Sequence, residues 1–190
     1  MKGSFATAIG LLCACTALRA SPVTFSVDPE HTLPKFSYTH FGFSRQEVRF
    51  DRVTGKIVLD MQAKTGSMTI SIDMTSVNSG IELFNKHLRS GDFFNVDKYP
   101  TATFKSSSIT FEDERPVSIL GELTLHGVTQ PVTFTVTSFK HGPHEYHQNR
   151  EAIGGTATAT VSREQFGLGR FEPSVGDAVT ISLGLEALRD

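Results

Sequence analysis

Apolar and polar positions alternate with a period of two along most of this chain. Met68, Ile70, Ile72 and Met74 fall on one side and Thr69, Ser71 and Asp73 on the other. Val132, Phe134 and Val136 interleave with Thr133, Thr135 and Thr137. Val179, Ile181, Leu183 and Leu185 interleave with Thr180, Ser182 and Gly184. Extended backbone points successive side chains to opposite faces, so these segments read as strands with one apolar and one polar side. Residues 23–27, 35–40, 49–59, 102–108, 117–125 and 152–162 carry the same signal more weakly, which predicts about nine strands joined mostly by short turns. His126-Gly127 predicts a tight hairpin in which Gly127 supplies a positive φ. Phe166-Gly167-Leu168-Gly169 predicts a bend or bulge. One segment departs from the alternation. Ser79-Gly80-Ile81-Glu82 has the form of a capping box, and Ile81, Phe84 and Leu88 then recur at helical spacing until Ser90-Gly91 ends the helix.

Many antiparallel strands leave unpaired edges unless the sheet closes. The predicted class is therefore all-β: an antiparallel barrel of about eight strands, a size at which the interior is either filled by side chains or holds one small ligand. The single helical excursion is placed to plug or gate one mouth. Phe36, Phe41, Phe43, Phe93, Phe94 and Phe104 lie outside the regular aliphatic faces. On periodicity alone they pack a filled core; as a surplus they argue for an apolar lumen.

The N-terminus changes the picture of where this domain works. Met1-Lys2, the apolar run Phe5 to Leu12 and small residues up to Ala20 have the layout of a secretory leader, too short to span a bilayer. The expected product is one domain over residues 21–190, periplasmic or secreted. A rival processing route reads Leu12-Cys13-Ala14-Cys15 as a lipoprotein box with Cys15 acylated. Both cysteines fall in the leader, so a chain cut after Ala20 has no disulfide, thiolate nucleophile or cysteine metal site. Lys2 and Arg19 leave with it, so 16 basic residues face 20 acidic ones. That balance, with no basic cluster, argues against nucleic acid.

Candidate chemistry is sparse. His141-x-x-His144-x-x-His147 lies with Gly142-Pro143 in what reads as a hairpin loop, with a spacing that can bind zinc or copper. Solvated loop imidazoles are the plainer reading, and no metal or cofactor is assigned. His40, His87 and His126 read as structural, each satisfied by nearby backbone, with His40 also a candidate ligand contact. Arg163 and Arg170 read as surface ion pairs, or as partners for a head group at a barrel mouth. No G-x-S-x-G elbow, phosphate loop or H-E-x-x-H is present, so the chain is read as a non-enzyme.

Several segments together resemble one family. Asp28-Pro29-Glu30-His31-Thr32 with Phe36 and His40-Phe41-Gly42-Phe43-Ser44 is similar to the opening motif of the YceI-like proteins. Asn85 to Asn95 with Tyr99-Pro100 is similar to their central helical motif, and Gly121 to Thr129 to their hairpin. Val161-Ser162-Arg163 with Phe166-Gly167, then Val175-Gly176-Asp177 with Val179 and Ile181, is similar to their close. The resemblance covers nearly all of residues 21–190. It implies an extended lipocalin-like barrel with a long apolar lumen that binds isoprenoid lipids, either polyprenyl carriers or long-chain quinones, for storage or transport in the envelope. The candidate contacts are Phe36, His40, Phe41, Phe43, Phe84, Leu88, Phe93, Phe94, Phe104 and Phe134. Asn85 and Asn95 stand where the family usually carries Asp, and Arg49 where Gly often precedes the Phe corresponding to Phe50. These departures bear on any charge-based role of the helical motif and leave the apolar lining untouched. Membrane contact is expected to be transient at most, and a homodimer stays open. The alternative reading is a stress or interaction module with a filled core.

Overall fold

The structure, a computed structural model, describes residues 21–190; the leader reading and both cysteines lie outside the described residues. The alternating segments form β1 (Val23–Val27), β2 (Leu33–His40), β3 (Ser44–Phe50), β4 (Val53–Asp60), β5 (Thr65–Asp73), β6 (Val77–Asn78), β7 (Thr101–Glu112), β8 (Arg115–Leu125), β9 (Val128–His144), β10 (Arg150–Ser162) and β11 (Ala178–Arg189). The helix is α1 (Glu82–Arg89). The strands β1-β4-β5-β7-β8-β9-β10-β11 are hydrogen-bonded in that order, and β11 pairs back to β1, which closes an eight-stranded antiparallel barrel.

The three short strands outside this ring are continuations of ring strands. β2 extends β1 along β11: β1 faces Ala187–Arg189 and β2 faces Thr180–Gly184. β3 runs into β4 across Asp51-Arg52, so the segment read from sequence as one strand over 49–59 is broken there. β6 resumes β5 after a 3₁₀ turn over Met74–Ser76. The barrel is thus an up-and-down meander whose first three strands are each interrupted midway. Its mouth carries the 41–43 turn, α1 with the loop to Pro100, the His126-Gly127 hairpin and the segment 163–177. The far end carries the turns at 61–64, 113–114 and 145–149.

Each interruption frees ladder groups that need other partners. Thr32 is fully buried; its hydroxyl donates to the Glu186 carbonyl and accepts from the Glu186 N–H, both at 3.1 Å. Buried Ser76 accepts from the Arg52 N–H at 3.0 Å through its hydroxyl, and its carbonyl accepts from the Asp51 N–H at 3.1 Å.

The capping box does not form as predicted. Ile81 occupies the N-cap without a side-chain bond. The Ser79 N–H and hydroxyl both donate to Asn85 Oδ1 at 2.7 Å, while Glu82 pairs with Arg89 at 2.7 Å. Gly80, at φ 82, turns the chain between Ser79 and the helix and takes the hydroxyl away from the cap position. Phe84 and Leu88 face the barrel as the spacing implies, whereas Ile81 stands in solvent. The His126-Gly127 turn has φ 52 and 77, the two positive values of a type I′ hairpin. Gly127 is needed there twice over, because a Cβ would sit 2.5 Å from the Tyr99 ring.

Two apolar clusters line the barrel interior, one toward each end. Phe50, Leu88, Phe94, Phe104, Phe134 and Phe166 belong to the one near the mouth. Phe25, Ile57, Leu59, Ile153, Leu185 and Ala187 belong to the one at the far end.

Candidate functional site

The interior that the two clusters surround stays open. A cavity of about 480 Å³ runs there, within the range of roughly 300–1,000 Å³ usual for small-molecule sites. Its walls are the apolar faces that the alternation predicts: Ile70 and Ile72 on β5, Phe134 and Val136 on β9, Ile181, Leu183 and Leu185 on β11. A closed barrel of this size has inward positions on every strand and has room for one small ligand where side chains leave space. The filled-core alternative does not describe this interior.

Nine of the ten candidate contacts line the cavity: Phe36, His40, Phe41, Phe84, Leu88, Phe93, Phe94, Phe104 and Phe134. Phe43 does not. It is 92% exposed at the tip of the 41–43 turn, because it lies in the reversal between β2 and β3, beyond the last ladder pair of His40 with Ser44, and points away from the barrel. Phe36, Phe50 and Phe94 pack together with centroids 5.7–5.8 Å apart, and Phe104 meets Phe134 edge-on at 5.0 Å. Sequence reasoning assigned no ligand role to Val136, Ile181, Leu183 or Phe171, which also line the cavity. For the first three the signal was present, since the inward face of a barrel strand is the lumen. Phe171 lies in an irregular segment and gave none.

The mouth is where the lining meets solvent. Phe41 and Phe171 are about half exposed yet line the cavity. Phe93 lies between His87, at 4.9 Å, and Phe171, at 6.0 Å. Tyr38 is buried in the wall, and burial pushes its phenol above the ordinary value. The polar groups at this end are mostly committed to structure. Arg163 is neither a surface ion pair nor a free head-group ligand: it is buried, and its guanidinium donates to the carbonyls of Leu168, Arg170, Val175 and Gly176. Arg170 pairs with Asp92 across the mouth, over the Phe171 ring. His126 Nδ1 bonds the Phe166 carbonyl at 3.1 Å, the backbone partner expected of it. His40 and His87 line the cavity at the rim.

The three spaced histidines are not a loop triad. His141 and His144 belong to β9, and only His147 lies in the turn after it. An odd spacing on a strand sends side chains to opposite faces, and the two pair separately, His141 with Glu151 at 2.7 Å and His144 with Glu186 at 3.3 Å. No helix among the described residues is long and apolar enough to cross a membrane.

The model of the YceI-like domain matches residues 25–187. The chain belongs to the YceI-like family. This YceI-like chain is 32% identical over 177 residues to a UPF0312 protein of Pseudomonas aeruginosa, covering 92% of this chain and 91% of that one. A UPF0312 protein of Vibrio parahaemolyticus is 32% identical over 158 residues, with 82% and 83% covered. Among solved structures, BcnA of Burkholderia cenocepacia superposes with a TM-score of 0.69 at 24% identity, over 84% of this chain and 98% of that one. A polyisoprenoid-binding domain from Saccharophagus degradans superposes with a TM-score of 0.65 at 18% identity, over 88% and 99%. At such identities the two structures establish the lipocalin-like fold alone.

Proposed function

We propose that this YceI-like barrel holds the tail of an isoprenoid lipid, a polyprenyl carrier or long-chain quinone, and carries or stores it in the periplasm without turning it over. The observation that supports this most is the unfilled, apolar lumen opening between Phe41 and Phe171. The family, and a structural neighbour described as polyisoprenoid-binding, agree with it. Burying one isoprene unit contributes up to about 4 kcal/mol, from five carbons at about 0.8 kcal/mol each. A few units therefore approach the limit of achievable affinity once ordering costs are subtracted. Affinity then comes from tail length and tolerates different head groups, which meet His40 and His87 at the rim.

The test is organic extraction of natively purified protein followed by mass spectrometry, with uptake of added isoprenoid quinone measured in parallel. Ala157 lines the cavity from β10, and Ala157→Phe places bulk in the lumen without removing a contact. Bound isoprenoid in the native protein, and uptake lost in A157F while the fold persists by circular dichroism, is the expected outcome. An empty native barrel that also refuses quinone would sink the proposal.

A further inference from the structure

The end of the barrel away from the mouth carries a side-chain cluster that lipid binding does not use. Asp28 and His31 lie in the interruption between β1 and β2, and His147 lies in the turn between β9 and β10. One carboxylate oxygen and two imidazole nitrogens of these residues all lie within 4.8 Å of one another. His31 Nδ1 is 2.8 Å from Asp28 Oδ2, and His147 Nε2 is 3.7 Å from the same oxygen. The second distance is too long for a hydrogen bond, yet His147 Nε2 is buried and has no hydrogen-bond partner. A buried nitrogen left in this way carries a desolvation penalty that no hydrogen bond offsets. Donor atoms bound at about 2.0–2.2 Å to a tetrahedral zinc stand roughly 3.3–3.6 Å apart. The observed separations straddle that value, so small side-chain movements bring all three atoms onto one ion.

The surroundings suit a cation. The Glu30 N–H fixes Asp28 by donating to Oδ1 at 2.9 Å, and the charges of Glu186 and Glu30 act on His31. His144 packs its ring on His147 at 4.7 Å and directs Nε2 to Glu186, which is the kind of outer support that orients ligating imidazoles.

We propose that Asp28, His31 and His147 bind one divalent transition-metal ion, zinc being the best match to two imidazoles and a carboxylate. The ion joins the 145–149 turn to the strand break and so clamps the far end of the barrel shut. This is not the site suggested by the histidine spacing: His141 takes no part, and His31 comes from the opposite end of the chain. The proposal stands independently of the lipid reading.

The experiment is calorimetric titration of the purified chain, stripped of metal and free of any affinity tag, with zinc chloride. One saturable site per chain at micromolar or tighter affinity is expected, with a Tm that rises with free zinc. H31Q and H147Q should each weaken binding about tenfold or more, and H141Q should leave it unchanged. The visible spectrum of cobalt(II) adds a second readout: a band of low-symmetry coordination present in H141Q and lost in H147Q. His147 lies on a surface turn, so H147Q is the variant that carries the test if H31Q does not fold. No saturable uptake below millimolar zinc, several weak sites, or an equal loss in H141Q overturns the proposal.

Discussion

Thr32, Ser76, Asn85 and Arg163 are the buried polar or charged residues among those described, and each sits where regular backbone pairing stops. Thr32 covers the break in the first strand, Ser76 those in the second and third, Asn85 the entrance to α1 and Arg163 the irregular segment before β11. A side chain that replaces missing ladder bonds is irreplaceable by an apolar isostere. Thr32→Val keeps the shape but leaves the Glu186 N–H unpaired, while the Glu186 carbonyl keeps the Asp28 N–H at 2.9 Å, so denaturant unfolding should register a loss of about 1–3 kcal/mol; a loss within error would show that the break is held by other groups. Burial raises the Asp73 carboxyl, but hydrogen bonds from Thr75 and Arg52 outweigh it and hold the group below its ordinary 3.8. Asp177 is likewise lifted by burial and brought down further by the Glu164 amide, Ser162 and Arg163. A depressed carboxylate stabilises the fold fully above its unfolded value, and that contribution disappears as pH falls through the folded value. The carboxylate contribution to thermal melts should therefore be lost as pH falls below about 4. Asp73→Asn should lower the Tm at neutral pH and make the acid decline shallower; an unchanged acid limb would contradict the assignment.

At the scale of elements, the mouth includes a long segment, 163–177, that lies outside the named strands. Segment 163–177 is fixed by one guanidinium shared among four carbonyls, by the Asp177 cap on the Glu164 N–H at 2.9 Å and by the Phe41 N–H donating to the Ser174 carbonyl at 2.6 Å. Arg163→Lys keeps the charge and loses the fork that reaches several carbonyls at once. Hydrogen exchange should then rise across 164–176 while β9 and β10 stay protected. Uniform exchange across the barrel, or none, would show that Arg163 does not organise this segment. The helix shows the same dependence on context. Spacing placed Phe84 and Leu88 against the barrel, but the entrance to α1 was misread because Gly80 redirects Ser79 toward Asn85.

At the scale of the molecule, the exposed apolar residues concentrate at one end. Phe41, Phe43, Ile81, Leu83 and Phe171 all stand in solvent on segments that build the mouth, and Phe41 and Phe171 also line the lumen. Exposed apolar groups of this kind suit an interaction surface, and under the proposed function the surface to test is the membrane supplying or receiving the lipid. A Phe43→Ser, Leu83→Ser double variant should slow quinone transfer from vesicles several-fold while leaving equilibrium uptake from detergent micelles unchanged, since neither residue lines the cavity. An equal effect on both measurements would place these residues in binding instead of docking.

The one-dimensional pattern determined the strands, their apolar faces and the closed barrel, because a period of two dictates which face is buried and a sheet with polar backs must eliminate its edges. The ordered motifs carried the family as well. Only the tertiary structure decided that the lumen stays open, since alternation says which way a side chain points and not whether the opposite wall is near enough to touch it. The midway breaks at Asp28–Thr32 and Asp51-Arg52, the outward tip at Phe43 and the burial of Arg163 depend on which distant backbone groups need partners. The pairing of His31 with His147 was beyond any spacing rule, because 116 positions of chain separate residues that closure of the barrel brings side by side.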